Sequence, residues 1–234
     1  MEDHLGWHEQ GDGRWFYGLH VDSGRVIDRD GCNMKTAVRR ICERLQPNLR
    51  ITAHQSVLFT DLAPEQREDL EAILGENGVE LDGAISEVRR WAIACVAMPT
   101  CPLAVTESER AMPGVMAQLE ADIRRLGLEK EKFTVRMTGC PNGCARPYNA
   151  DIGLVGKTKN KYMIFLGGSL RGDRLGFLYR EIVPLDELAS TLVPVLANFM
   201  HHREEGETLG DFCQRQGAQG LLLFADSYAG EVER

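Results

Sequence analysis

Four cysteines in two turn-rich stretches constrain this chain more than any other feature. "CVAMPTCP" sets Cys95 and Cys101 in a C-x5-C pair, and "GCPNGC" sets Cys140 and Cys144 in a C-x3-C pair. Proline fixes φ and removes an N–H, so Pro99, Pro102 and Pro141 stiffen both stretches. Gly139 and Gly143 permit backbone conformations closed to other residues, and Asn142-Gly143 is a strong turn signal. The free N–H groups of such a turn can point at sulfur and stabilise its negative charge. Four thiolates suit zinc or an iron–sulfur cluster. Structural zinc usually uses C-x2-C pairs, which neither stretch provides, and a cubane spreads its ligands over a wider polyhedron. Inert buried thiols are the third reading, because cysteine packs as a small hydrophobe.

Composition narrows the setting. The 234 residues suffice for one large or two small domains with real cores. Aromatics are only 7%, so aliphatic side chains must do most of the packing. The net charge of −8 argues against broad nucleic-acid binding, which needs a basic footprint. No run of 18 apolar residues predicts a membrane span. The start "MEDHLGWHEQ" lacks a basic stretch followed by an apolar core, so a secretory signal is not expected. A cytoplasmic chain is therefore expected, and in a reducing compartment clustered cysteines serve metal or redox chemistry more often than disulfides.

Patterning predicts an α+β chain. "RWFYGLHV" and "RVID" read as strands around the turn "DSG", and 33–45 as a helix with Met34, Ala37, Val38, Ile41 and Leu45 on one face. Strand character returns over 48–62, followed by a helix over 63–78 stopped at Gly75 or Gly78. These elements predict helices on one face of a mainly antiparallel sheet. Next comes a long helix within 106–128, with Thr106 and Glu109 as a capping box and Pro113 kinking or restarting it. A strand over 132–139 leads into the second cysteine pair. A hairpin follows over "KTKN", then a helix over 185–206 with an internal proline, and a short final segment prone to fraying.

"TGCPNGCARP", with "ACVAMPTCPLAVTESER" upstream, resembles the cluster half of sirohaem-containing sulfite reductases. "LGWHEQGDGRWFYGLHVDSGR" is similar to the middle of the ferredoxin-dependent members, and "LRITAHQ", "DIGLVG" and "FLGG" extend the likeness from about Leu5 to Gly217. The resemblance implies a ferredoxin-like half-domain (about 1–80) and an α/β domain for a 4Fe–4S cluster and sirohaem (about 84–225). Cys95, Cys101, Cys140 and Cys144 would ligate the cluster, with Cys144 also shared with the sirohaem iron. The reaction implied is reduction of sulfite to sulfide, with cluster and haem carrying the chemistry.

Sirohaem carboxylates and sulfite both call for cations, arginine above all. Arg50 and Arg146 are the candidates, with Gln55 and Asn142 as neutral donors. His54 is weighed beside them, with a structural role as its plainer reading. The family's first half, absent from this sequence, carries much of the basic anion-binding cluster, so a partner chain supplying it is one expectation and the catalytic residues stay unassigned. A sirohaem nitrite reductase half and a cluster-carrying electron-transfer module are the alternatives. No G-x-G-x-x-G fingerprint follows a strand, so electrons are expected from another protein, ferredoxin by resemblance. Lys157, Lys159 and Lys161 offer a basic edge for an acidic donor, or only a polar hairpin tip. Cys32, Cys42 and Cys213 match no part of the cluster pattern.

Overall fold

The computed structural model describes residues 3–229. The chain divides into two compact units, one up to Ser86 and the other from Glu87.

In the first unit, β1 (Gly6–Glu9), β2 (Trp15–Leu19), a two-residue ribbon β3 (Asp28–Arg29) and β4 (Cys32–Asn33) precede helix α1 (Met34–Leu45). Then follow β5 (Asn48–Ile51), β6 (Val57–Leu62) and α2 (Arg67–Glu76). The main sheet runs β1-β2-β6-β5, antiparallel throughout. Apolar residues at helical spacing explain the layering. Ala37, Ile41 and Leu45 of α1 and Leu70, Ile73 and Leu74 of α2 are buried with Tyr17, Leu19, Phe59 and Leu62 of the sheet. Gly78, at φ 67°, ends the α2 segment, as left-handed glycine does after a helix.

The second unit opens with the short helix α3 (Glu87–Arg90), then β7 (Ile93–Ala94) and α4 (Met112–Arg125). Strands β8 (Val135–Thr138), β9 (Ile152–Thr158), β10 (Lys161–Leu166) and β11 (Phe177–Pro184) precede helices α5 (Leu188–His202) and α6 (Leu209–Ser227). The sheet order is β11-β10-β9-β8-β7. Its β9–β11 part is an antiparallel meander, whereas β7, β8 and β9 run parallel. Val135 and Met137 of β8, Ile152 and Leu154 of β9, and Ile164 of β10 share one core with the apolar faces of α4, α5 and α6. Two glycines of β9 let neighbouring backbone approach where a side chain would exclude it. A Cβ on Gly153 would lie 2.2 Å from the Pro147 carbonyl oxygen, and one on Gly156 2.5 Å from that of Gly139. The residues leading into and out of the second cysteine pair thus lie directly on the backbone of β9.

The structure corrects several local expectations. "RVID" is not the partner of β2. Ser23 and Gly24 take positive φ, the chain turns away, and β2 pairs with β1 and β6 instead. Thr106 caps no helix. Its hydroxyl lies 3.1 Å from the Tyr162 hydroxyl and accepts from the Asn160 N–H at 3.0 Å. Helix α4 begins at Met112 with Pro113 in its first turn, where the missing N–H costs nothing, so the proline starts the helix. Pro194 lies inside α5, and the carbonyl it leaves free belongs to exposed Ser190. The final segment is no short tail. Thr208 caps the 19-residue α6, which bends at Gly217 and buries Leu209, Phe212, Cys213 and Leu221.

Candidate functional site

Both cysteine stretches begin where a parallel strand ends. Ile93 and Ala94 of β7 pair with Arg136 and Met137 of β8, so the segments that follow leave the sheet at the same edge. In open α/β sheets that edge, outside the carboxyl ends of the strands, is where ligands bind. Cys95 continues the pairing through an N–H bond to the Met137 carbonyl at 3.1 Å. One step further, the Gly139 N–H donates to Cys95 Sγ at 3.3 Å. That bond aims a backbone N–H of the second stretch at a sulfur of the first.

The first loop is folded tightly and fixed to the second. Cys101 N–H donates to the Ala97 carbonyl at 2.7 Å, and Ala104 N–H donates to the Cys101 carbonyl at 3.2 Å. Val105 and Thr106 both donate to the Gly139 carbonyl, at 2.9 and 3.2 Å. Gly139 leaves no room for a side chain here, because a Cβ would sit 2.6 Å from Thr106 O and 2.7 Å from Ala97 Cβ. Behind the loop, Ser108 Oγ donates to Met137 O at 2.8 Å, and Glu109 N–H donates to Cys95 O at 3.1 Å. Arg110 reaches over to donate to the Met98 carbonyl at 2.6 Å.

The second loop is held from within. Arg146 takes φ 57° and donates its N–H to Gly143 O at 2.7 Å. Tyr148 lies over Gly143, donates its hydroxyl to Pro141 O at 2.8 Å and meets Phe165 edge-on at 5.1 Å. Beneath this loop Arg136 extends from the middle of β8 and donates to Asn149 Oδ1 at 2.7 Å and to Arg146 O at 3.3 Å.

Cys140 is buried, Cys95 and Cys101 are half-buried, and Cys144 is exposed together with its neighbours Asn142 and Arg146. All four cysteines, Asn142 and Arg146 thus belong to two loops that meet at Gly139. Arg50 and Gln55 belong to the first unit. Arg50 is exposed on the edge strand β5, and Gln55, at φ 62°, occupies the turn between β5 and β6. His54 shares that turn, its N–H directed at Thr52 Oγ1 at 3.3 Å. Cys213 is fully buried on α6, where burial pushes its thiol far above the ordinary range. Among the described residues no three His, Cys, Asp or Glu side chains gather around a point fit for a single metal ion. A cubane does not require this, since each sulfur binds a different corner. The donor set fits such a group: free thiols on two joined loops, one sulfur already accepting a backbone N–H.

Sequence reasoning missed Arg136, Ser108 and Tyr148. Arginine at the centre of a buried strand, "TVRMT", was the available signal for the first of these.

The comparisons agree with this layout. The model for the nitrite/sulfite reductase ferredoxin-like half domain matches residues 8–77, and that for the nitrite and sulphite reductase 4Fe-4S domain matches 87–232. A relative named sulfite reductase (ferredoxin), from Synechococcus elongatus, is 43% identical over 232 residues, 99% of this chain and 37% of that protein. A sulfite reductase (NADPH) hemoprotein beta-component from Myxococcus xanthus is 43% identical over 215 residues, 92% of this chain and 38% of that protein. The solved structure of the Mycobacterium tuberculosis NirA protein superimposes with a TM-score of 0.79 at 28% identity, covering 94% of this chain and 41% of NirA. This chain therefore spans well under half the length of these relatives. It belongs to the nitrite and sulfite reductase family, whose cofactors are a 4Fe–4S cluster and sirohaem, and carries that family's ferredoxin-like half domain and 4Fe–4S domain.

Proposed function

We propose that this chain is the cofactor-holding half of a sulfite reductase, with Cys95, Cys101, Cys140 and Cys144 as the cluster ligands. The observation that carries the reading is the meeting of the two cysteine loops at the ends of β7 and β8, where the Gly139 N–H already serves Cys95 Sγ. When bound, the cluster and sirohaem would supply the redox chemistry for six-electron reduction of sulfite to sulfide. The chain's own residues have narrower tasks. Backbone N–H groups of the glycine-rich turns lower the cost of holding thiolates. Cys144 would be the sulfur shared between cluster and sirohaem, and its exposure supports that reading. Arg146 and Asn142, exposed beside it, offer a cation and a neutral donor to carboxylates or to the anionic substrate. Arg50 and Gln55, in the first unit, are the further candidates that the family resemblance implies for carboxylate binding.

The remaining anion-binding cations come from outside these 234 residues, from a separate chain or the rest of a longer one, and this part alone turns over little sulfite. Ferredoxin is the donor by the name of one relative, although another carries an NADPH-linked name. Electrons arrive from a protein donor, and a reducing cytoplasm is the compartment that suits a cluster held by thiolates. Among the described residues no helix is long and apolar enough to cross a membrane.

Anaerobic reconstitution with iron, sulfide and sirohaem tests the reading. About four irons per chain beyond the haem, with acid-labile sulfide, fit a cubane on four thiolates. Serine at any one of the four cysteines lowers the yield, and Cys213→Ser does not. Absence of a cluster in wild type refutes the ligand assignment. Nitrite turnover exceeding sulfite turnover, once the missing half is supplied, selects a nitrite reductase. A cluster without haem uptake selects an electron carrier.

A further inference from the structure

Arg136 is only 1% exposed, among the largest fully buried side chains of the protein. Its neighbours Val135 and Met137 face the helical core, so strand alternation points Arg136 and Thr138 to the opposite face, under the second cysteine loop. One guanidinium nitrogen, Nη1, holds both Asn149 Oδ1 and the Arg146 carbonyl. Nε and Nη2 have no hydrogen-bond partner, nor has Thr138 Oγ1 two residues on. No carboxylate among the described residues forms an ion pair with Arg136. The charges that act on it are like-charged Arg146 and, more weakly, Asp151. Burial pushes this arginine down to about 10, still high enough to keep it charged at neutral pH.

A buried cation without a paired anion is costly, and an aliphatic side chain would fill the same space more cheaply. Such a group belongs beside negative charge that arrives later. We infer that Arg136 is the positioning residue of the second cysteine loop, fixing its Arg146–Asn149 end and supplying the buried positive charge against which the Cys140 and Cys144 thiolates are held. The loop-fixing part stands on the protein alone. The charge part rests on the cluster reading above.

Two measurements separate these parts. In the 234-residue chain without cofactor, alkylation by iodoacetamide is followed at each cysteine by mass spectrometry. Exposed Cys144 reports intrinsic reactivity, and Cys213, buried in the same unit, reports global opening. Arg136→Gln raises the Cys140 rate roughly ten-fold, with Cys144 and Cys213 unchanged, because losing a charged hydrogen bond promotes local opening. An unchanged Cys140 rate overturns the assignment, and so does a joint rise of Cys140 and Cys213, which marks a merely structural arginine. Should Arg136→Gln not fold, Asn149→Ala carries the same test from the acceptor side, with roughly a three-fold rise expected. In the reconstituted chain, Arg136→Gln shifts the cluster midpoint potential to more negative values, whereas Arg136→Lys, which keeps the charge, stays near wild type. Equal potentials in all three refute the charge part. Absence of a cluster in wild type refutes the ligand assignment, and with it the charge part, while the alkylation result still decides the loop.

Discussion

Replacing Gly139 by alanine isolates the joint between the two cysteine loops. The new methyl would lie 2.6 Å from Thr106 O, 2.7 Å from Ala97 Cβ and 3.2 Å from Ala104 Cβ. Carbon contacts relax near 3.5–4.0 Å, so the first loop must retreat by about 1 Å. These three neighbours are one backbone oxygen and two backbone-fixed methyls, and none can swing aside. Overpacking of this kind costs about 1–3 kcal/mol. The retreat also stretches the bonds from Val105 and Thr106 to Gly139 O, each worth about 1 kcal/mol net. A total near 3 kcal/mol is expected, and with a urea slope of about 2 kcal/mol per molar the midpoint falls by about 1.5 M. Trp91, buried in the second unit, reports the transition by fluorescence in a background with Trp7→Phe and Trp15→Phe. Gly114→Ala is the control. Its Cβ meets nothing within 4 Å on α4, and it should stabilise by about 0.5–1 kcal/mol. If Gly139→Ala leaves the midpoint within about 0.2 M of wild type, the tight joint argued from the geometry is wrong.

Three further outcomes are expected. Asp61 accepts from Asn48, Thr60 and Gln10, and these bonds depress its carboxyl to about 2. Its contribution to stability is present above the ordinary 3.8 and is lost as pH falls through about 2, and a carbon-13 titration midpoint near 4 would contradict the network. Burial raises the Asp151 carboxyl, against bonds from Thr134 and Gly210. The stability it contributes is full below 3.8 and declines as pH rises through the elevated value, so the stability gap between wild type and Asp151→Asn should shrink with rising pH; a gap that widens reverses the assignment. Thr208 accepts from Asp211 N–H at 3.2 Å, so Thr208→Ala should cost about 1 kcal/mol in thermal or urea unfolding, and no loss would show the cap to be idle.

The legible parts of the sequence were those whose signal is local. Ala37, Ile41 and Leu45 at four-residue steps announced α1, and "KTKN" between two apolar runs announced the β9–β10 hairpin. The proline- and glycine-stiffened cysteine pairs announced two turns. Pairing over distance was not legible. Nothing in "GWHE" says that it will border β2, and "RVID" has a strand's composition without a strand's place. Thr106 and Glu109 have the spacing of a capping box, yet Tyr162 and Asn160, from the hairpin, claim the threonine hydroxyl. Among site residues, the cysteines were readable because their chemistry is rare. Arg136 was not, since its meaning lies in burial and in the loop laid over it.

The two-residue strand β7 has a consequence for how the protein is made. Ile93 and Ala94 have only β8 to pair with, and β8 lies beyond the whole of α4. On a ribosome, Cys95 and Cys101 emerge first and wait without a scaffold until Thr138 and Gly139 are synthesised. Iron and sulfide would find their receptor only after that moment, so metallation follows translation of β7, α4, β8 and the second cysteine pair.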